Sequence, residues 1–419
     1  MCYPPDISDY RRVEAVEVHP LPKEVLVGGR LQKYSKLWST ITRDRWVLRT
    51  VRDGISLDLI DTPQCNEPFD SAHSLTGRPA QLQACQETVQ SYLAKDIIEP
   101  VFDNSPGLYA AFFGVPKKDS QELRGCWDGR ALNEYIRYEH FKMEGVQTLK
   151  DLIQPGDFMT KVDISDAYPH LLVPTHLRHL FRFIWQGTVF QYRSLCFGLS
   201  SAPRIFTKVM KPVIEWIRSM GIRCVIYLDD ILLLASSAEE ARRNTQLTLD
   251  LLRYLGLLVK PSKVEAVPTQ QIEFLGLQAD SVKMLLTVPL DKIKKLQKQI
   301  RQTIDLQFVR QLTRRQLAGV IGKVTAMAGA VETAQLHTWP LIHELNKHRS
   351  AKWDRSIGTL SVQALSELRW WQTQLWTWNG KTVIPVSHTW VVITDAAKSG
   401  WGGWWQHVDR QARPQDETR

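Results

Sequence analysis

The chain has 419 residues, 43% hydrophobic and 23% charged, which implies two to four globular folding units and excludes a disordered protein. Its 53 Lys and Arg against 44 Asp and Glu leave +9 at pH 7, a surplus that suits a polyanionic partner without specifying one. No apolar run approaches the roughly 18 residues of a membrane span, Met1 to Tyr10 holds no apolar signal core, and the six scattered cysteines lack C-x-x-C spacing, so an intracellular protein of the cytoplasm or nucleus with no membrane partner is expected.

Residues 1–79 are turn-rich and read as an N-terminal leader region, with Pro4-Pro5, Gly28-Gly29 and short stretches around Trp38 and Trp46. Leu82, Cys85, Val89 and Leu93 recur at spacings of three and four, which predicts a helix over 81–93. Strand-like text begins at Ile97-Ile98-Glu99-Pro100-Val101, and from Phe158 to about Asp280 short apolar strands alternate with helical stretches. His176 and His179 form an H-x-x-H pair with no third ligand at zinc spacing and read as structural or surface residues. Ile293, Leu296, Ile300 and Ile304 mark one face of a helix over 291–304. Lys292, Lys294, Lys295, Lys298 and Arg301 cover much of the rest, which reads as a solvated face or as a helix lying along phosphates. Ten of the 15 tryptophans lie from Trp339 onward, where Thr389 to Asp395 alternates as a strand and 400–405 supplies a second.

The strongest local signal runs from Cys224 to Leu234, two apolar strands flanking Asp229-Asp230. By itself it also reads as a hairpin turn. Adjacent carboxylates between buried strands raise each other's pKa, and a bound divalent cation removes that cost. Upstream, Asp163 ends the strand Phe158–Asp163. If that strand pairs beside the hairpin, three carboxylates converge on a site suited to Mg²⁺. Two such ions about 4 Å apart serve the attacking and leaving oxygens of a phosphoryl transfer.

Asp163 through Tyr168 and Tyr227 through Asp230 resemble the first and third palm motifs of reverse transcriptases. Four further segments match in order over Pro106 to Ala279. Val115-Pro116-Lys117-Lys118-Asp119 with Arg124 and 128–133 resembles the fingers segment, and 195–203 the second palm motif. Gly256-Leu257 with Lys260 and Lys263 resembles the next palm element, and Glu273-Phe274-Leu275-Gly276-Leu277 the primer grip. The resemblance implies that Asp163, Asp229 and Asp230 are the catalytic carboxylates and metal ligands, for two Mg²⁺ with Mn²⁺ as an alternative. It places Lys117, Arg124, Asp166, Ala167, Tyr168, Phe197, Gly198 and Lys263 around the incoming dNTP, with Tyr168 excluding a 2′-hydroxyl. It places Tyr227, Phe274, Leu275 and Gly276, with the thumb residues Lys294, Lys295, Lys298 and Arg301, on an RNA or DNA template with its primer. Two residues depart from the pattern: Pro169, where an aromatic or His is usual, and Cys196, where Pro is frequent.

Val27-Gly28-Gly29-Arg30-Leu31, Trp38, Ile41-Thr42 and Trp46-Val47-Leu48 resemble the leader of DIRS-like retrotransposons, which integrate with a tyrosine recombinase. Val392 to Ala397 with Gly400-Trp401-Gly402 resembles the opening of an RNase H domain. The fold implied is α+β, a right-hand polymerase. Fingers and palm are expected over 80–280, thumb and helical connection over 281–388, and a truncated RNase H-like start over 389–419. RNA-directed DNA synthesis is expected, and RNase H activity is not, since Asp395 is one acid where that chemistry needs several. The alternatives are an inactive relic that only binds nucleic acid and a host protein that has adopted the domain. Oligomeric state is left open.

Overall fold

The computed structural model describes residues 3–10, 12–19, 26–75, 77–103, 105–116, 123–384, 390–397 and 400–407. The leader is not a separate layer. Its short helices α1 (Ser35–Trp38) and α2 (Arg45–Asp53) bury Trp38, Val47 and Val51 in the main core. Asp44 starts α2 by accepting from the Trp46 and Val47 amides, and Trp38 Nε1 donates to the Leu255 carbonyl at 3.0 Å.

The periodic segment near 81–93 is helix α3 (Pro79–Ala94), begun by a proline in its first turn, with Cys85 and Val89 buried. It packs on the hairpin of β2 (Phe112–Pro116) and β3 (Leu123–Trp127), and near β1 (Ile98–Pro100). The short helices α4 (Arg130–Asn133) and α5 (Val146–Leu152) lead into the central sheet, whose first strand is β4 (Phe158–Asp163). Strands β5 (Arg182–Trp185) and β6 (Thr188–Tyr192) return to β1 in the order β1-β6-β5. Phe112, Phe183, Phe190 and Tyr192 fill the space between them, with Phe112 and Phe183 stacked at 4.6 Å.

The central sheet is antiparallel, in the order β7-β8-β4-β9, with β7 at Arg223–Tyr227, β8 at Asp230–Ala235 and β9 at Glu265–Thr269. Helices α6 (Ala202–Ser219) and α7 (Ala238–Tyr254) pack on it. Ile231 and Leu233 join the core shared with the leader, while Leu232 and Leu234 join a second core beneath the C-terminal helices. Both faces are therefore covered, which is why 231–235 is a continuous apolar run and not an alternating one.

That second core is roofed by the sheet β10-β11-β12-β13 (Gln271–Phe274, Leu277–Asp280, Leu285–Thr287, Lys381–Thr382). A boundary at residue 280 thus lies inside one sheet. Helices α8 (Leu290–Phe308), α9 (Arg314–Met327), α10 (Ala334–Lys347) and α11 (Val362–Thr373) complete the unit. Helix α8 is longer than its periodic core, and Ile293, Leu296 and Ile300 are fully buried as their spacing requires. Strands β14 (Trp390–Ala397) and β15 (Gly400–His407) form a two-stranded sheet of their own, with Val392, Ile393, Trp404 and Trp405 exposed. Among the described residues no helix is long and apolar enough to cross a membrane.

Candidate active site on the central sheet

The ladder between β4 and β8 sets the centre of the site. Asp163, the last residue of β4, faces Asp230, the first of β8. Strands β7 and β8 are joined by the two-residue turn Leu228-Asp229, in which Leu228 takes φ 56, as a tight hairpin demands. The Ile164 amide donates to the Asp229 carbonyl at 2.9 Å and stitches the turn to the end of β4. Two strand ends and one turn so bring together the three predicted carboxylates.

Their electrostatics are unbalanced. Burial, then the charges of Asp229 and Asp163, push Asp230 up to about 6, while Lys161 and Lys263 pull it back. Lys263 Nζ donates to Asp163 Oδ2 at 2.7 Å. Burial works against the lysine's charge, but that bond and the three carboxylates lift its pKa above the ordinary value. As the side chains stand, no three His, Cys, Asp or Glu groups among the described residues are gathered closely enough to cage an ion. The donor set still fits a hard divalent cation: oxygen donors only, carrying a surplus of negative charge that a cation would relieve.

The turn after β4 carries the expected nucleotide-binding residues. Asp166 takes φ 48, and its carboxylate accepts from Lys95 Nζ at 2.8 Å. Ala167 and Tyr168 are buried. The Tyr168 ring lies 4.9 Å from that of Phe197 and edge-on to Phe206 at 5.8 Å. Burial, with the charge of Asp229, raises its hydroxyl to about 12, so it stays neutral. Gly198 has φ 106, and a Cβ there would stand 2.3 Å from the Trp127 carbonyl oxygen. The glycine expected for close approach of a nucleotide is thus also required by packing against the end of β3. Asn133 locks the same contact, donating to the Gly198 carbonyl and accepting from the Ser200 amide. Arg124 sits on β3 opposite Val115, and Lys117 lies outside the described residues.

Below the carboxylates, Tyr227, Asp230, Phe274, Leu275 and Gly276 line one cavity of about 850 Å³ with Lys161, Lys292, Lys295 and Lys323. Leu275 and Gly276, with φ 50 and 82, make the two-residue turn between β10 and β11, and Lys292 Nζ holds the Gly276 carbonyl at 2.8 Å. Of the four cations expected on α8, Lys295 and Lys298 line a groove against Gln316 and Lys323 of α9. Lys294 and Arg301 are exposed but do not line it.

Sequence reasoning missed Lys95, Asn133, Lys161 and His170. Asn133 stood within a recognised motif; Lys95 and Lys161 act on residues far away in the chain, and His170 ties Asp166, four residues before it, to the distant Leu258.

Residues 115–279 match the family model described as reverse transcriptase (RNA-dependent DNA polymerase). They are a reverse transcriptase domain. Over 277 residues the chain is 24% identical to the Transposon Tf2-3 and Tf2-4 polyproteins of Schizosaccharomyces pombe, a match covering 66% of this chain and 19% of each polyprotein. The fold also resembles two structures of the foamy viral protease-reverse transcriptase. One, with an RNA/DNA hybrid, has a TM-score of 0.62 at 14% identity, covering 93% of this chain and 54% of the other. The second, with double-stranded DNA, has a TM-score of 0.61 at 14% identity, covering 94% and 80%. The reverse transcriptase domain thus sits in a right-hand polymerase fold, with the carboxylates on the sheet β7-β8-β4-β9.

Proposed function

We propose that the chain is an RNA-directed DNA polymerase that joins a primer 3′-hydroxyl to the α-phosphate of a dNTP on an RNA or DNA template, releasing pyrophosphate. The observation that carries this reading is the juxtaposition of Asp163 and Asp230 across the β4–β8 ladder beside the Asp229 turn. Asp163, Asp229 and Asp230 would hold two Mg²⁺, which when bound lower the pKa of the attacking hydroxyl and neutralise the leaving charge. The chain's own groups do the rest. Tyr168, backed by Phe197, forms a wall against a 2′-hydroxyl. Lys263, next to Asp163, is a proton-bearing cation at the reaction centre, and Lys117 and Arg124 would stabilise phosphate charge. Lys295, Lys298 and Lys323 suit a duplex backbone.

The matched polyproteins support a retrotransposon origin, with the leader motif favouring a DIRS-like or related LTR type. On this reading β14–β15 is the opening hairpin of an RNase H-like domain, with Asp395 on β14. The decisive experiment is primer extension by the purified chain on a primed RNA template with Mg²⁺. Wild-type protein should extend, and Asp229→Asn should lose roughly a thousandfold or more in rate with its melting curve unchanged. Near-normal extension by Asp229→Asn would refute the assignment of the site.

A further inference from the structure

Asp166 stands in the left-handed region with φ 48, a conformation uncommon outside glycine though less costly for aspartate than for most residues, and contacts from its surroundings fix it there. Two side chains do so, neither of them part of the recognised motifs. Lys95, at the end of α3, reaches 2.8 Å to the Asp166 carboxylate, with both side chains about one-third exposed. His170 is wholly buried and acts on the backbone of the same residue: its Nδ1 lies 3.0 Å from the Asp166 carbonyl oxygen. Its Nε2 lies 3.0 Å from the Leu258 nitrogen. The Leu258 amide can only donate, so Nε2 is the acceptor and Nδ1 carries the hydrogen. Burial lowers the imidazole to about 4, consistent with a neutral ring held in that one tautomer.

Both residues are themselves anchored. The Leu258 carbonyl accepts from Ser165 at 2.7 Å, so His170 adds a rung between the turn and the segment leading to Lys263. The Val27 and Gly28 amides donate to the Lys95 carbonyl at 2.9 and 3.0 Å, and the Gly29 amide to the Pro169 carbonyl at 2.9 Å. Gly28 is required by this approach, since a Cβ there would fall 1.7 Å from the Asp96 carbonyl oxygen.

We propose that His170 and Lys95 are positioning residues for nucleotide binding, holding the Asp166–Tyr168 turn from behind in the conformation that presents its amides and the Tyr168 ring to the dNTP. This rests on the polymerase reading above. Released from either tether, Asp166 relaxes toward ordinary φ and takes the next amides and the tyrosine with it. The effect falls on the nucleotide and not on the template–primer, which other elements hold.

The test is steady-state extension by the full chain with Lys95→Met, Lys95→Arg and His170→Phe. KM for dNTP should rise about tenfold or more in Lys95→Met and His170→Phe, the scale of losing a strong hydrogen bond. Discrimination against rNTP should weaken alongside. Template–primer Kd should stay within about twofold, and Lys95→Arg, which keeps the ion pair, should recover most of the dNTP affinity. A role in folding alone would reduce the active fraction and so kcat, leaving KM and sugar discrimination unmoved. That outcome overturns the proposal. If His170→Phe does not fold, the partly exposed Lys95 pair decides by itself. No extension by the wild-type chain overturns the polymerase reading and the proposal together; wild-type extension with unchanged KM in the variants overturns the proposal only.

Discussion

At the scale of single residues, the site shows how little of a side chain's role lies in its own chemistry. Tyr168 could serve as a packing residue anywhere; here its ring is clamped between Phe197 and Phe206 at the mouth of a carboxylate site. Tyr168→Ala should therefore raise the ratio of kcat/KM for rNTP over dNTP by roughly tenfold or more, the scale on which a steric contact discriminates. An unmoved ratio would leave Tyr168 as core only. His170 carries a different consequence. Its folded pKa of about 4 lies below its ordinary 6.5, so below pH 6.5 the unfolded chain takes up a proton that the folded chain refuses. This group costs nothing at pH 7, and stability falls as pH drops from 6.5 toward 4, by about 1.4 kcal/mol per unit and so about 2 kcal/mol by pH 5. His170→Gln, whatever its stability at pH 7, should lose correspondingly less between pH 7 and pH 5 in urea melts. Parallel losses in the two proteins would contradict the buried, neutral histidine.

Among the elements, helix α8 is where charge pattern and geometry part company. Its basic residues look equivalent in the sequence, yet a helix spreads successive residues by about 100°. Only Lys295 and Lys298 line the groove against α9, where Lys323 joins them. Replacing these three by Gln should flatten the dependence of template–primer affinity on salt, by roughly one unit of log–log slope for each phosphate no longer neutralised. Replacing Lys294 and Arg301 should change it less. Equal effects from the two sets would show that the groove is not the track of the backbone. The β7–β8 hairpin was readable because a turn of two residues between apolar runs is a local pattern. The pairing of β4 beside it was not, since nothing near Asp163 encodes which strand it joins.

For the whole molecule, the leader and the C-terminal hairpin stand at opposite extremes. Leu31, Trp38, Val47, Val51 and Ile55 are at most 2% exposed and share one core with α3, the β1-β6-β5 sheet and the central sheet. Each such side chain contributes about 1.5–3 kcal/mol, and five together rival the roughly 5–15 kcal/mol by which a domain is stable. Removing residues 1–55 should therefore abolish cooperative thermal unfolding. Removing residues 385–419, of which the described part is a sheet that pairs with itself, should shift Tm by no more than a few degrees. A folded leaderless chain, or one that collapses without the hairpin, would reverse this account.

The sequence by itself determined the candidate carboxylates, their order along the chain, the helices α3 and α8 and the class of fold. Helical and strand periods and motif spacings are properties of neighbouring residues, so they survive in one dimension. Only the tertiary structure decided that Asp163 faces Asp230, that the leader is core, that Lys95 reaches Asp166 from 71 residues away and that His170 meets Leu258 from 88. Such contacts follow from strand register and from which layers pack together. A slip of one residue along β4 would turn every one of its side chains to the opposite face, and no local pattern around Asp163 records the partner that prevents it.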